Sequence, residues 1–280
     1  MEAIYLLVLF SAISMSHGIL FKSPNWYTLQ VRWSPNLIGS NTFISMPRTR
    51  AMALSQGYSK VSDCGDIPGI NGERFVKEGD YSVVLLYDIN GYIAGIQIGF
   101  PHNDSAQFPP DNQINHPFLR VGDMYLLTAY FTDPAAICTR GRRLGQFLVE
   151  GTGDALYIQN GTDPVANSMK IPMTETELES TKWTKGPCFR TMGVHYWYDL
   201  TTDMSCDDYF PVFLLYNRGR LNAFGWAIGM NIYTESGKVE HPSKETYKYF
   251  IDPVPDCLYE GSQVMTQHIY MTLPLLNILC

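Results

Sequence analysis

The strongest pattern in the chain is an apolar run, a short polar break and a second apolar run. Val212–Tyr216 is apolar, Asn217-Arg218-Gly219-Arg220 is polar, and apolar positions resume at Leu221 and continue to Met230. Valine, phenylalanine, tyrosine and tryptophan suit a pleated, half-buried surface, and Gly219 supplies the positive φ of a tight turn. The pattern predicts a β-hairpin over Pro211–Met230. Val83–Phe100 repeats the plan around its own turn, Asp88-Ile89-Asn90-Gly91.

The surroundings of the two hairpins also match in order. Upstream, Thr49–Gln56 and Thr174–Ser180 each suit a short helix, and Thr174 with Glu177 forms a capping-box pattern. Cys64 and Cys188 follow them. Downstream come His116-Pro117 and His241-Pro242, then Tyr130-Phe131-Thr132-Asp133-Pro134 and Tyr249-Phe250-Ile251-Asp252-Pro253, leading to Cys138 and Cys257. Strand candidates Ala155–Ile158 and Gln267–Tyr270 close each series. The shared order predicts two pseudo-equivalent structural repeats packed together, 27–150 and 151–280, each with one short helix and a central hairpin. Leu29–Arg32 is then an opening strand and Gln267–Thr272 a closing one. Short strands alternating with Gly and Pro turns, with little helix, give an α+β class dominated by antiparallel β.

The start of the chain changes the picture from fold to compartment. Ala3–Ile13 is an apolar core of secretory-leader length, too short to span a bilayer, and small residues permit cleavage after Ser16 or after Gly18. Residues 1–16 (or 1–18) therefore read as a signal peptide, and no other segment reads as an integral membrane span. Asn103-Asp104-Ser105 and Asn160-Gly161-Thr162 are glycosylation acceptors in turn-like surroundings. The six cysteines are an even set suited to an oxidising compartment. Matching the two series predicts Cys64–Cys138 and Cys188–Cys257, leaving Cys206 with Cys280; the alternative is a local Cys188–Cys206 pair. A secreted, extracellular protein is expected. With 20 basic against 27 acidic residues and a net charge of -7, a nucleic-acid partner is not expected.

Standard catalytic signatures are missing from the sequence: there is no His-Glu-x-x-His, no Gly-x-Ser-x-Gly and no phosphate-cradling loop. Asp88-Ile89-Asn90-Gly91 starts like a calcium loop but lacks the later oxygen ligands, and reads as a turn. Cleavage after Ser16 would expose His17-Gly18, whose α-amine and imidazole form a chelating pair suited to copper(II). This beginning resembles that of lytic polysaccharide monooxygenases, whose copper site uses the N-terminal histidine. His102, His116, His195 and His268 are candidates for a second ligand on chemistry alone.

The aromatic run His195, Tyr196, Trp197 and Tyr198 reads either as a stacking face for a ligand or as a strand covered on both faces. His116 and His241, each before proline, read as turns with an imidazole–backbone hydrogen bond. Arg142-Arg143 and Arg218-x-Arg220 read as small solvated basic spots. The function expected is a non-catalytic binding glycoprotein without a cofactor, of the kind found in venom, mucus, egg fluid or extracellular matrix. It would engage an extracellular protein or carbohydrate through loops and exposed aromatics at one edge. The alternatives are a copper oxidase or monooxygenase using His17, and an extracellular hydrolase with dispersed acidic residues.

Overall fold

The computed structural model describes residues 26–280 except 38, 40, 103–107, 231–233, 235 and 278–279. Two short strands come first, β1 (Gln30–Val31) and β2 (Ile44–Ser45), followed by helix α1 (Arg50–Ser55). Strands β3 (Tyr58–Ser62), β4 (Glu73–Lys77), β5 (Asp80–Tyr87), β6 (Ile93–Pro101), β7 (Leu119–Val121) and β8 (Met124–Tyr130) lead to helices α2 (Pro134–Ile137) and α3 (Leu144–Glu150). After them come β9 (Leu156–Gln159), β10 (Ser168–Ile171), β11 (Trp183–Phe189), β12 (Gly193–Tyr198), β13 (Val212–Asn217) and β14 (Arg220–Ile228). Helix α4 (Cys257–Glu260) and β15 (Met265–Tyr270) complete the series.

These strands build two antiparallel sheets. Sheet I has the order β3-β4-β5-β6-β8-β9-β10, with β7 beside β8; sheet II has the order β11-β12-β13-β14-β15-β1-β2. Sheet I therefore continues across the 150/151 boundary, and sheet II takes its last two strands from the start of the described chain. β15, which holds Gln267–Tyr270, lies inside sheet II, paired with β14 on one side and β1 on the other.

Alternate residues of the hairpins explain why their sequences are continuous apolar runs. Val83, Leu85 and Tyr87 of β5 join Val212, Leu214 and Tyr216 of β13 in one core between the sheets. Val84 and Leu86 point the other way, beneath Ile70, Leu119 and Ile137. Phe213 and Leu215 do the same beneath Tyr247, Ile251, Leu258 and Val264. Both faces of each sheet are thus covered, and a strand buried on both faces has no polar side to alternate. Each fully buried Val, Leu or Phe contributes about 1.5–3 kcal/mol.

The local devices are those expected. Arg218 (φ 50°) and Gly219 (φ 73°) turn the β13–β14 hairpin in two positive-φ residues. Thr49 caps α1 by accepting from Met52 N, and Thr174 with Glu177 makes the capping box of a 3-10 turn at Glu175–Ser180. The Tyr87 hydroxyl donates to Pro47 O at 2.7 Å, and the Tyr216 hydroxyl to Pro172 O at 2.5 Å. Among the described residues no helix is long and apolar enough to cross a membrane.

Three expectations are corrected. Cys64–Cys138 forms, but the other two bonds are Cys188–Cys280 and Cys206–Cys257. The reason is register. Tyr130 ends β8 and leads through Pro134 to Cys138; the tyrosine in the matching place of sheet II is Tyr270, which leads through Pro274 to Cys280. Tyr249–Pro253 shares more letters with Tyr130–Pro134 but lies in the segment covering sheet II. Finally, Arg142 is not a solvated basic spot. It is 3% exposed, its Nε lies 3.8 Å from Asp88 Oδ2, and its backbone N–H donates to the same oxygen. Asp88 Oδ1 accepts from Asn90 N and Tyr92 N, which holds the β5–β6 turn.

Candidate functional site

Strand β12 divides the aromatic run between its two faces. Val194 and Tyr196 enter the core between the sheets, and the Tyr196 hydroxyl donates to Glu175 Oε1 at 2.6 Å. Tyr198 packs on Trp183 and Phe210, both at 5.2 Å. His195 and Trp197 take the outer face, each 1% exposed. These rings are therefore not an exposed stacking edge, because segment 239–250 lies over them.

Between that segment and the outer face of sheet II is a cavity of about 550 Å³. Trp33, Trp197, Phe213 and Phe250 supply apolar walls, and Arg32, His195, Glu240 and His268 are among the ionisable groups that line it. The volume and the mix of aromatic wall with a few polar groups are those of a small-molecule site.

The floor is a single cross-strand row, Trp197, Phe213, Gly225 and His268. Gly225 is required there. A Cβ would stand 2.1 Å from Phe213 Cζ and 2.5 Å from Gln267 O. With no side chain in the way, the Phe213 ring crosses towards β15 and stops 4.9 Å from the His268 ring.

Glu240 is held by converging donors. Its Oε1 accepts from Trp33 N at 2.7 Å, and its Oε2 from Thr266 Oγ1 at 2.8 Å and His268 Nδ1 at 3.0 Å. With Nδ1 turned to Glu240, the other ring nitrogen, Nε2, is left for a different partner. That Nε2 is buried and has no partner. His195 places Nδ1 3.3 Å from Pro187 O. Burial, then the neighbouring His268, push its pKa down to about 3, so its imidazole is neutral at physiological pH.

The corresponding positions of sheet I are filled and paired. Arg74 stands opposite Leu86 as His195 stands opposite Leu215. Gln97 takes the place of Gly225 and Thr128 that of His268. Arg74 Nε donates to Gln97 Oε1 at 2.9 Å, and Gln97 Nε2 to Thr128 Oγ1 at 2.8 Å. The Tyr130 hydroxyl donates to Gln159 Oε1 at 2.8 Å, and Gln159 Nε2 to Gly69 O and Gly161 O. On sheet II, Tyr270 Oη, His268 Nε2 and Arg32 Nε are buried without partners.

The remaining sequence candidates are scattered. His17 and Asn103 lie outside the described residues. Asn160 is half-buried just after β9, and its carbonyl accepts from His116 Nδ1 at 2.6 Å, the imidazole–backbone contact expected of that histidine. His102 lies against the Tyr125 ring. Of the four histidines considered as copper ligands, His195 and His268 come together, with ring centroids 6.5 Å apart. Among the described residues no three His, Cys, Asp or Glu side chains group so as to hold a metal ion.

Arg32, Trp33, Phe213 and Glu240 were not singled out by sequence. They arrive from separate loops and strands, and no spacing links them. The one available signal was Gly225, a glycine inside an apolar strand, which marks close approach of a neighbour. Among protein-family models, curated proteins and solved structures, none matches this chain.

Proposed function

We propose that the chain is a secreted, disulfide-bonded glycoprotein that acts without catalysis, by holding a small, mainly apolar molecule in the cavity on sheet II. The observation that carries this reading is the cavity itself, walled by Trp33, Trp197, Phe213 and Phe250, on a face whose counterpart in sheet I is filled. A small ligand is favoured over a protein or carbohydrate partner because His195 and Trp197 are covered. Export is supported by the leader-like residues 1–16 or 1–18, the acceptors Asn103 and Asn160, and three disulfides, which fit an oxidising compartment. The like order of strands in the two sheets supports two repeats that exchange their terminal strands, one face having remained filled while the other became a seat.

Fluorescence titration with the neutral probe N-phenyl-1-naphthylamine tests this. Saturable one-to-one binding is expected in the wild type, and its loss in Thr246→Trp, which places a large ring in the cavity wall. Absence of saturable binding, or equal binding by the variant, would overturn it.

A hydrolase reading draws on the Glu240–His268 pair, which is how a general base and its orienting carboxylate are arranged. Among the described residues no serine, threonine or cysteine is hydrogen-bonded to His268 Nε2. Ester turnover abolished by His268→Gln would favour it. The copper alternative depends on the mature N-terminus: a chain starting at His17 keeps it, and one starting at Ile19 removes it.

A further inference from the structure

We propose that the cavity takes a monocarboxylate with an apolar body, its carboxylate seated on Arg32. This rests on the cavity being a ligand seat and adds the chemistry of the ligand. Among the described residues lining the cavity, Arg32 is the one lysine or arginine. Its backbone sits at φ 73°, in the left-handed region that residues with a Cβ seldom adopt. The position is fixed by the main chain, since Arg32 N donates to His268 O at 2.9 Å immediately after the β1–β15 pairing. A residue held in such a conformation directs its side chain away from the course the strand would give it, and such positions concentrate at ligand sites.

Among the described residues no carboxylate lies within ion-pair distance of Arg32, and its Nε is buried without an acceptor. Glu240, the acid lining the same cavity, is engaged by Trp33 N, Thr266 Oγ1 and His268 Nδ1. Gln159, at the matching place of sheet I, one residue past Ile158 as Arg32 is one past Val31, has its amide oxygen and nitrogen both bonded. An arginine with no carboxylate beside it among the described residues can pair with an incoming one. The guanidinium fork matches a carboxylate with two parallel hydrogen bonds. The aromatic walls would take the apolar body, and a single cation suits a monoanion.

Displacement of bound N-phenyl-1-naphthylamine by decanoate, decanol and methyl decanoate is the test, on wild type, Arg32→Gln and Arg32→Lys. In the wild type decanoate should compete about 10- to 100-fold more strongly than the alcohol or the ester, the worth of one charge-assisted hydrogen-bonded contact. In Arg32→Gln, which borrows the residue of sheet I, the ratio of decanoate to decanol competition should fall to about one; Arg32→Lys should retain part of the preference. Equal competition by all three compounds in the wild type overturns the carboxylate assignment and leaves the cavity reading intact, as does a preference that persists in Arg32→Gln. Failure of the neutral probe to bind the wild type overturns both. The wild-type comparison decides the matter even where a variant fails to fold.

Discussion

The outer faces of the two sheets start from the same register and end differently. On sheet I, Arg74, Gln97, Thr128, Tyr130 and Gln159 bond to one another and to the backbone, and the face is closed. On sheet II the same places hold His195, Gly225, His268, Tyr270 and Arg32; three of these carry buried polar atoms without partners, beside a cavity. A buried polar group left unpaired costs stability, so a face that keeps several is not arranged for stability alone. Closure on one side and vacancy on the other are the features to break.

The largest effect is expected at the row centre. Gly225→Ala drives a methyl into Phe213 and Gln267, and folded, soluble protein should be lost, as read by circular dichroism and yield. Its counterpart Gln97→Ala should still fold, at a cost of about 2–3 kcal/mol in denaturant unfolding, because Arg74 and Thr128 lose a partner and a void remains.

Next is Cys206–Cys257, which ties the segment over sheet II to the stretch after β12 across a separation of 51 residues. Replacing both cysteines by alanine should lower the unfolding free energy by about 4 kcal/mol, and should weaken probe binding as the cover loosens.

The matched tyrosines differ in the same way. Tyr130→Phe deletes a donor to Gln159 and an acceptor for Asn71 N, and should cost about 1–2 kcal/mol. Tyr270→Phe deletes a hydroxyl that has no partner, and should be neutral or slightly stabilising. Equal costs would remove the distinction between the faces.

The last difference is in pH, and its size depends on how far the pH is lowered. His195 has a folded pKa of about 3 against 6.5 when unfolded. Below 6.5 the unfolded chain takes up a proton that the native chain refuses. The contribution to stability is therefore complete above pH 6.5 and is lost as pH falls towards 3, by up to about 1.4 kcal/mol per pH unit. His195→Gln should flatten that part of the stability profile. Arg74, in the same place on sheet I, does not titrate in that window.

The hairpins were readable because burial on both faces leaves continuous apolar runs, and Gly219, Thr49 and Thr174 mark the turn and the caps by their own chemistry. The cysteine pairing was only partly readable. Letter matching favoured Tyr249–Pro253, whereas strand register selects Tyr270 and so Cys280. The site was largely hidden. Arg32, Glu240 and His268 meet through β-pairing between distant segments, and no sequence spacing records such a meeting. The alternation of β12 did assign His195 and Trp197 to one face, yet it could not show that another segment covers them.

The most direct measurement is the thermal unfolding midpoint with and without N-phenyl-1-naphthylamine at about a hundred times its Kd. Ligand held by the native cavity adds about 2.7 kcal/mol, so the wild-type midpoint should rise by several degrees and that of Thr246→Trp should stay where it is. A wild-type midpoint that does not move, or one that moves equally in Thr246→Trp, would contradict a ligand seat on the outer face of sheet II.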